Sequence, residues 1–256
     1  EKTPGRCVPN QVVLSHPNTD IQFQIACGDA SLMQGYEILV NTENNYMQMA
    51  RFYETNTLSC AIRRNGAYFS GGRLKQDTIQ EQLFQYAAVN GGLPAPEASV
   101  FITSAGHKAS DMRDIADYRY IFHVSAVRID VGKRLIVPYN DVRSFITNSI
   151  MAIRDLEKTN GGIEKSDGSY IVKPNDDFKP IESILFPVFG AGNGGKTFED
   201  AIQEIVTSFN RHLIAEVARR RIESLKTVGI AIFFEEDVEN VKQVFLNNGF
   251  EVVSEV

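Results

Sequence analysis

Apolar residues alternate with polar ones in several short stretches of the chain, and this pattern predicts strands. Ile21, Phe23 and Ile25 alternate with two glutamines, which is typical of a strand with one buried face. Residues 228–234 form an almost continuous apolar run, which indicates a strand covered on both faces. Similar runs predict further strands over 37–40, 99–104, 119–129 and 183–189.

Apolar residues three and four positions apart predict helices between these strands. Ile79, Leu83 and Tyr86 would form the buried face of one helix, which ends at an Asn-Gly-Gly sequence. The same spacing predicts helices over 47–62, 142–156, 202–217 and 236–248. Strands that alternate with helices favour an α/β fold whose sheet is mostly parallel and covered on both faces.

Two segments carry no regular apolar pattern. Residues 1–20 contain Pro and Asn and are predicted to be irregular. Residues 157–180 are polar and contain Gly, Pro and Asp, so we expect a surface insertion with at most a short hairpin around residues 170–172. No repeat, low-complexity tract or linker interrupts residues 21–256, which are expected to form a single domain.

The composition limits the classes of function. The 256 residues are 43% hydrophobic and carry a net charge of −6, which argues against a nonspecific surface for nucleic acid or anionic membranes. Three cysteines and four histidines are widely spaced, so neither a disulfide framework nor a metal site is predicted. No apolar run approaches the roughly 18 residues of a membrane helix. These features indicate a reducing, cytoplasmic location.

The strongest chemical signal is the sequence Gly-Ala-Gly-Asn-Gly-Gly-Lys-Thr at residues 190–197. It lies between a predicted strand and a predicted helix, where backbone N–H groups and the helix dipole can bind a phosphate group. The sequence also matches the P-loop pattern of NTPases. However, few residues follow it, and they show no separate aspartate motif for magnesium. A turn that only reverses the chain is the third interpretation.

Short motifs along the chain resemble, in the same order, those of the macrodomain family, which binds ADP-ribose. Residues 28–30 (Gly-Asp-Ala) resemble the Gly-Asp-Ile turn of that family, and residues 40–44 (Val-Asn-Thr-Glu-Asn) resemble its Val-Asn-Ala-Ala-Asn segment. Further segments resemble family motifs at 60–67, 102–106, 121–124 and 186–195. The resemblance covers about residues 20–250 and implies a three-layer αβα fold with a central mixed, mostly parallel sheet.

The resemblance also implies roles for individual residues. Asp29, with the backbone N–H of Ala30, would recognise the adenine amino group, and Phe234 would stack on the adenine ring. Asn44 would bind the distal ribose, and the Gly-rich loop would bind the diphosphate. Asp29 as a turn residue, Asn44 as a helix-start residue and Phe234 as a core residue are the alternatives. The complete set of candidate ligand-binding residues is Asp29, Ala30, Asn41, Asn44, Arg51, Gly190, Ala191, Gly192, Asn193, Gly194 and Phe234.

The segment after Asn44 departs from the family pattern. Macrodomains usually carry a Gly-Gly-Gly run a few residues after this asparagine, whereas this chain has no glycine between Gly35 and Gly66. Bulky side chains therefore predict a differently shaped distal pocket and weaken the case for hydrolysis. Arg51 and its neighbours are candidates to bind a group beyond the distal ribose, or they form an ordinary amphipathic helix. His123 is expected to be a hydrogen-bonded core histidine. No catalytic residue is assigned.

Residues 41–67 resemble the macrodomain of membrane-anchored Thoeris-type antiphage effectors. In those systems a TIR enzyme makes an ADP-ribose-derived signal that the macrodomain senses. The resemblance implies a sensor without turnover, which binds a modified ADP-ribose such as histidine–ADP-ribose and self-associates on binding. It implies no nucleic-acid partner and membrane attachment only through an upstream segment. An ADP-ribosyl or O-acyl-ADP-ribose hydrolase, with Asn44 positioning water, and a P-loop NTPase are the alternatives.

Overall fold

A mixed β-sheet forms the centre of the molecule. The computed structural model describes residues 2–90, 92–165, 167–191 and 195–256, and within these ranges the sheet has nine strands. The strands of the chain are β1 (Val8–His16), β2 (Thr19–Cys27), β3 (Ile38–Asn44), β4 (Tyr68–Ser70), β5 (Arg73–Gln76), β6 (Val100–Ser104), β7 (Tyr120–Asp130), β8 (Leu135–Pro138), β9 (Ile163–Glu164), β10 (Tyr170–Val172), β11 (Ser183–Phe186), β12 (Thr227–Ile232) and β13 (Glu251–Glu255). The helices are α1 (Leu58–Gly66), α2 (Thr78–Asn90), α3 (Val142–Lys158), α4 (Phe198–Ser208), α5 (Ile214–Arg220) and α6 (Val238–Asn247).

The middle of the sheet is parallel and its margins are antiparallel. The strand order is β13-β1-β2-β12-β11-β3-β7-β6, and β8 pairs with the end of β7. Strands β2, β12, β11, β3 and β7 run parallel to one another, whereas β1 and β13 on one side and β6 and β8 on the other pair antiparallel. The carboxyl ends of the parallel strands therefore meet at one edge of the sheet, and the predicted α/β fold with a mixed central sheet is confirmed.

Helices cover both faces of this sheet and create two hydrophobic clusters. Helices α1 and α2 enclose one cluster, which includes Leu39, Ile62 and Leu83. Helices α3, α4 and α6 enclose the larger cluster, in which Phe145 and Phe209 pack on the opposite face. Burial of aromatic and aliphatic side chains on both faces is the dominant stabilising term for such a three-layer fold.

The prediction that residues 1–20 are irregular is wrong, because β1 begins at Val8. This strand pairs with β2 through a tight turn and with β13 on its other side. Val12 and Leu14 are fully buried, although a Pro-Asn-Gln sequence at residues 9–11 precedes them. The strand was missed because one of its partners comes from the other end of the chain, which no local pattern reports.

The helix predicted over 47–62 is also wrong for most of its length. Helix α1 begins only at Leu58, after Thr57, whose Oγ1 accepts the Cys60 N–H at 3.1 Å. Residues 45–57, here called the β3 loop, form turns, and Met47 has a left-handed φ of +50°. Contacts with other parts of the chain bury the apolar residues of this loop. Their spacing matches a helical period although the segment is not a helix.

Candidate functional site

Four of the predicted ligand-binding positions lie at the carboxyl ends of adjacent parallel strands. Asp29 follows β2, Phe234 follows β12, Gly190 follows β11 and Asn44 ends β3. Because these strands are neighbours in the order β2-β12-β11-β3, the four positions form a row along one edge of the sheet. Ligands of open α/β sheets bind at this edge. The topology thus brings residues that are far apart in sequence to a common surface.

Asp29 begins a short 3-10 helix over Ala30–Leu32 at the end of β2. Its Oδ1 accepts the backbone N–H of Ser31 at 2.9 Å and the Ser31 hydroxyl at 2.7 Å. Asn65 Nδ2 donates to the same hydroxyl at 2.7 Å, and the Tyr118 hydroxyl donates to the Ala30 carbonyl at 2.6 Å. Among the described hydrogen bonds none uses Asp29 Oδ2. One carboxylate oxygen thus caps the turn, and the other is open to a ligand.

The Gly-rich turn after β11 closes on itself in the part that is described. Gly190 has a left-handed φ of +85°, and its carbonyl accepts the Lys196 N–H at 3.3 Å. The Lys196 ammonium group forms an ion pair with Glu204 on α4. Gly192, Asn193 and Gly194 lie outside the described residues. Thr197 Oγ1 accepts the Asp200 N–H at 3.1 Å and caps α4, so a helix N-terminus directly follows the turn.

Solved structures with the same architecture come from macrodomains. The Oceanobacillus iheyensis macrodomain with ADP is 15% identical and aligns over 92% of this chain and 95% of its own, with a TM-score of 0.55. A mutant of that macrodomain with ADPR is 16% identical over 92% and 97% of the two chains, with a TM-score of 0.54. The chain has a macrodomain fold. No family model and no curated protein matches the sequence.

Within the macrodomain fold, Asn44 makes its hydrogen bonds inside the β3 loop. Its Oδ1 accepts the backbone N–H groups of Tyr46 at 3.0 Å and Gln48 at 3.3 Å. Its Nδ2 donates to the Gln48 carbonyl at 2.6 Å. The side chain is therefore a turn-forming residue in this structure. The distal-ribose role would require the loop to exchange some of these bonds for bonds to the ligand.

Two residues that sequence reasoning missed hold the β3 loop in place, Gln80 from α2 and Asn45 from the start of the loop itself. Gln80 on α2 accepts the Met49 N–H through Oε1 at 2.8 Å and donates from Nε2 to the Met47 carbonyl at 3.1 Å. Asn45 Oδ1 accepts the Ile129 N–H of β7 at 2.9 Å. Gln80 and Asn45 are both buried. The only signal in the sequence is a glutamine between the apolar positions Ile79 and Leu83 of a predicted helix, and it does not indicate which loop this side chain contacts.

Arg51 lies on the outer side of the β3 loop. Its guanidinium group bonds to the Tyr53 hydroxyl and lies 5.7 Å from the centre of the Tyr53 ring. Its backbone N–H donates to Glu54 Oε2 at 2.5 Å. Tyr53 is 70% exposed, so this pair faces solvent beyond the Asn44 turn. The two side chains form an exposed cationic and aromatic surface at the distal end of the row.

Asn41 is not part of this surface, because its side chain is fully buried between the sheet and α1. Its Nδ2 donates to Glu43 Oε1 at 2.7 Å and lies 3.2 Å from His123 Nδ1. The Ser59 hydroxyl also donates to Glu43 Oε1, at 2.5 Å, and accepts the Ala50 N–H at 3.0 Å. A polar network thus connects the interior of the sheet to the β3 loop.

Burial shifts the pKa values of the two titratable groups of this network in opposite directions. Loss of water raises the pKa of Glu43 to about 7, against the opposing effects of the Ser59 and Asn41 hydrogen bonds and the Arg63 charge. Burial lowers the pKa of His123 to about 3. The neutral imidazole donates from Nε2 to Thr103 Oγ1 at 2.9 Å and accepts at Nδ1 from Asn41. His123 is a hydrogen-bonded core histidine, as predicted.

Three further features of the described residues concern other kinds of site: a cavity, metal ligands and membrane-spanning helices. An open cavity of about 350 Å³ lies between α2, β6 and α3, and none of the candidate ligand-binding residues lines it. In the part of the chain that is described, no three His, Cys, Asp or Glu side chains are grouped as metal ligands. Within the same ranges no helix combines the length and apolar character of a membrane span.

Proposed function

We propose that this chain is a binding module for ADP-ribose or a nucleotide derived from it. The observation that carries the proposal is the row of Asp29, Phe234, Gly190 and Asn44 along the carboxyl edge of four adjacent strands in a macrodomain fold. Similar solved structures with ADP and with ADPR support the choice of ligand class.

The positions in the row suit the parts of such a nucleotide. Asp29 Oδ2 would accept a hydrogen bond from the adenine amino group, next to Ala30, and Phe234 would offer a ring for stacking. Gly190, Ala191 and the following residues would bind the diphosphate through backbone N–H groups beside the N-terminus of α4. Asn44 would contact the distal ribose and Arg51 a group attached beyond it. Asn41 would not contact the ligand but would help to hold β3, which carries Asn44, in position.

The β3 loop favours a sensor over an enzyme. The Asn44 amide, which a hydrolase would use to place water, is engaged by the loop backbone. Hydrolysis of ADP-ribosyl or O-acyl-ADP-ribose groups is the second candidate, because the same fold and asparagine are present. The P-loop alternative is less favoured, because Lys196 pairs with Glu204. A nucleotide-binding lysine would instead reach the terminal phosphates.

The biological setting that we propose is antiphage defence. The resemblance of residues 41–67 to Thoeris-type effectors supports a modified ADP-ribose, such as histidine–ADP-ribose, as the signal. Binding would drive self-association of a cytoplasmic domain, with any membrane attachment made through an upstream segment. Light scattering with and without the conjugate would report this assembly.

The experiment that tests the function compares two phenylalanine variants. Thermal stability and calorimetric titration are measured with ADP-ribose, histidine–ADP-ribose and ATP plus magnesium. A ligand at about 100 times its Kd adds roughly 2.7 kcal/mol, or about 5–10 °C in Tm. Phe234→Ala should lose about 1–3 kcal/mol of binding through lost stacking. Phe84→Ala, which removes a phenylalanine ring that is 51% exposed on α2, is the matched control and should bind as the parent does.

Binding of ATP plus magnesium without binding of any ADP-ribose compound would refute the proposal in favour of a P-loop. Turnover of ADP-ribosylated protein that Asn44→Ala abolishes would establish the hydrolase instead of the sensor. Equal loss in the two phenylalanine variants would show that the row of strand ends is misassigned.

A further inference from the structure

Residues 2–7, here called the N-terminal strap, lie across the carboxyl ends of β2 and β12. The Gly5 N–H donates to the Phe233 carbonyl at 2.8 Å, and the Glu235 N–H donates to the Thr3 carbonyl at 3.1 Å. Pro4 and Phe234 form an antiparallel bridge between these two bonds. The strap thus behaves as one further short strand beside the residue proposed to stack on adenine.

Charged groups anchor the outer end of the strap. Lys2 Nζ forms an ion pair with Asp237 Oδ1 at 2.6 Å, and the Thr3 N–H lies 2.8 and 2.9 Å from the two carboxylate oxygens of Glu236. The Lys2 ammonium group also lies 5.7 Å from the centres of the Phe234 and Phe198 rings. A cation at that distance occupies a ring face of Phe234.

The inner end of the strap packs tightly against the end of β2. The Cys7 thiol donates to the Asp29 carbonyl at 3.6 Å. A Cβ atom on Gly28 would lie 2.8 Å from the Cys7 Cα, and one on Gly5 would lie 2.2 Å from the Cys27 Sγ. The strap therefore contacts both residues to which the proposed function assigns adenine recognition, Asp29 and Phe234.

We propose that the strap is an autoinhibitory contact, which occupies the base-binding end of the site and is displaced when a nucleotide binds. This inference rests on the proposed function. A base that stacks on the face of Phe234 over which the Lys2 ammonium lies would have to displace it. Lys2 is about half exposed, so solvent screens its pairing with Asp237 and the outer end of the strap is the part that releases easily. Apparent affinity falls with the fraction of molecules in which the strap is closed.

Lys2→Gln tests this inference, because it removes the charge and keeps most of the side-chain length. We expect ADP-ribose to bind about 3–10-fold more tightly and the amides of Gly5 and Glu235 to exchange hydrogen faster in the absence of ligand. Asp237→Asn should act in the same direction. Lys226→Gln is the matched control, since Lys226 pairs with Glu182 at the amino ends of β12 and β11, and it should change neither the affinity nor the exchange rates.

Added ADP-ribose should also speed exchange at Gly5 and Glu235 in the parent protein, because displacement breaks their hydrogen bonds. Weaker binding by Lys2→Gln would overturn the inference and make the strap a wall of the site. Unchanged binding, in a parent that binds ADP-ribose normally, would overturn the inference alone. No binding by the parent or by any strap variant would overturn the proposed function as well, whereas binding that appears only in the strap variants would support both.

Discussion

The two ends of the proposed site are held by different kinds of contact. At the distal end, the β3 loop is fixed by buried amide side chains, because Gln80 is bonded to its backbone and the Asn45 side chain is bonded to the Ile129 N–H of β7. At the base end, the strap is held by a partly exposed ion pair and a few main-chain bonds. Buried hydrogen bonds are hard to exchange, whereas exposed ion pairs contribute little. The distal end should therefore determine the shape of the proposed site, and the base end should determine how easily a nucleotide enters it.

Removing the anchor of the distal end should have the largest effect. Gln80→Ala leaves the Met49 N–H and the Met47 carbonyl buried without partners, and each orphaned group costs about 1–3 kcal/mol. We expect the free energy of unfolding in urea to fall by roughly 2–4 kcal/mol. Gln85→Ala, on the exposed side of α2, is the control and should change it by less than about 0.5 kcal/mol. Similar losses in both variants would contradict a fixed distal end.

Changing the acceptor at the base end should alter the choice of base with little effect on folding. In Asp29→Asn, the side-chain oxygen keeps its bond to the Ser31 N–H, while the amide group replaces the open Oδ2. We expect ADP-ribose to lose about 1–3 kcal/mol of binding, because an amide donor would face the adenine amino group. The hypoxanthine analogue of ADP-ribose presents an acceptor there and should lose less. Calorimetry with both nucleotides measures the difference.

An unchanged preference between the two nucleotides would show that Asp29 only caps its turn. The adenine ring would then lie elsewhere along the row of strand ends, and Asp29 would not belong to the base end of the proposed site.

The third effect concerns the pH dependence of stability, which the buried network below the β3 loop controls. The pKa of Glu43 is raised from 4.5 to about 7, so its contribution to stability is complete below pH 4.5 and is lost as the pH rises through about 7. The pKa of His123 is lowered from 6.5 to about 3, so its contribution is complete above pH 6.5 and is lost as the pH falls through about 3. Between pH 4.5 and 6.5 the two slopes oppose each other.

Glu43→Gln removes the contribution of Glu43 to the pH dependence of stability and leaves that of His123. The free energy of unfolding of the variant should fall on acidification from pH 6.5 to 4.5, by up to about 1.4 kcal/mol per pH unit relative to the parent. Urea unfolding at three pH values measures this difference. Parallel curves for the two proteins would mean that Glu43 is ionised throughout the range and that the interior of the network is wetter than its burial indicates.

Much of the fold could be predicted because its signals are local. The alternation at β2 and the apolar run at β12 lie within the strands that they predict. Strand β1 could not be predicted, because it lies between β2 and β13, and β13 comes from the other end of the chain. The proposed site also has a part that could be predicted and a part that could not. Motifs at the strand ends predicted the residues of the row, whereas the conformation of the β3 loop depends on Gln80 on a separate helix.

The attachment of the strap to β1 has a mechanical consequence. Strand β1 is bonded along its length to β2 on one side and β13 on the other, so a load along it is shared by many bonds at once. The strap has few main-chain bonds, at Thr3 and Gly5, and these would yield first under tension. A pull on Lys2 would therefore peel the strap from Phe234 while the sheet stayed whole, which makes this end of the domain responsive to force.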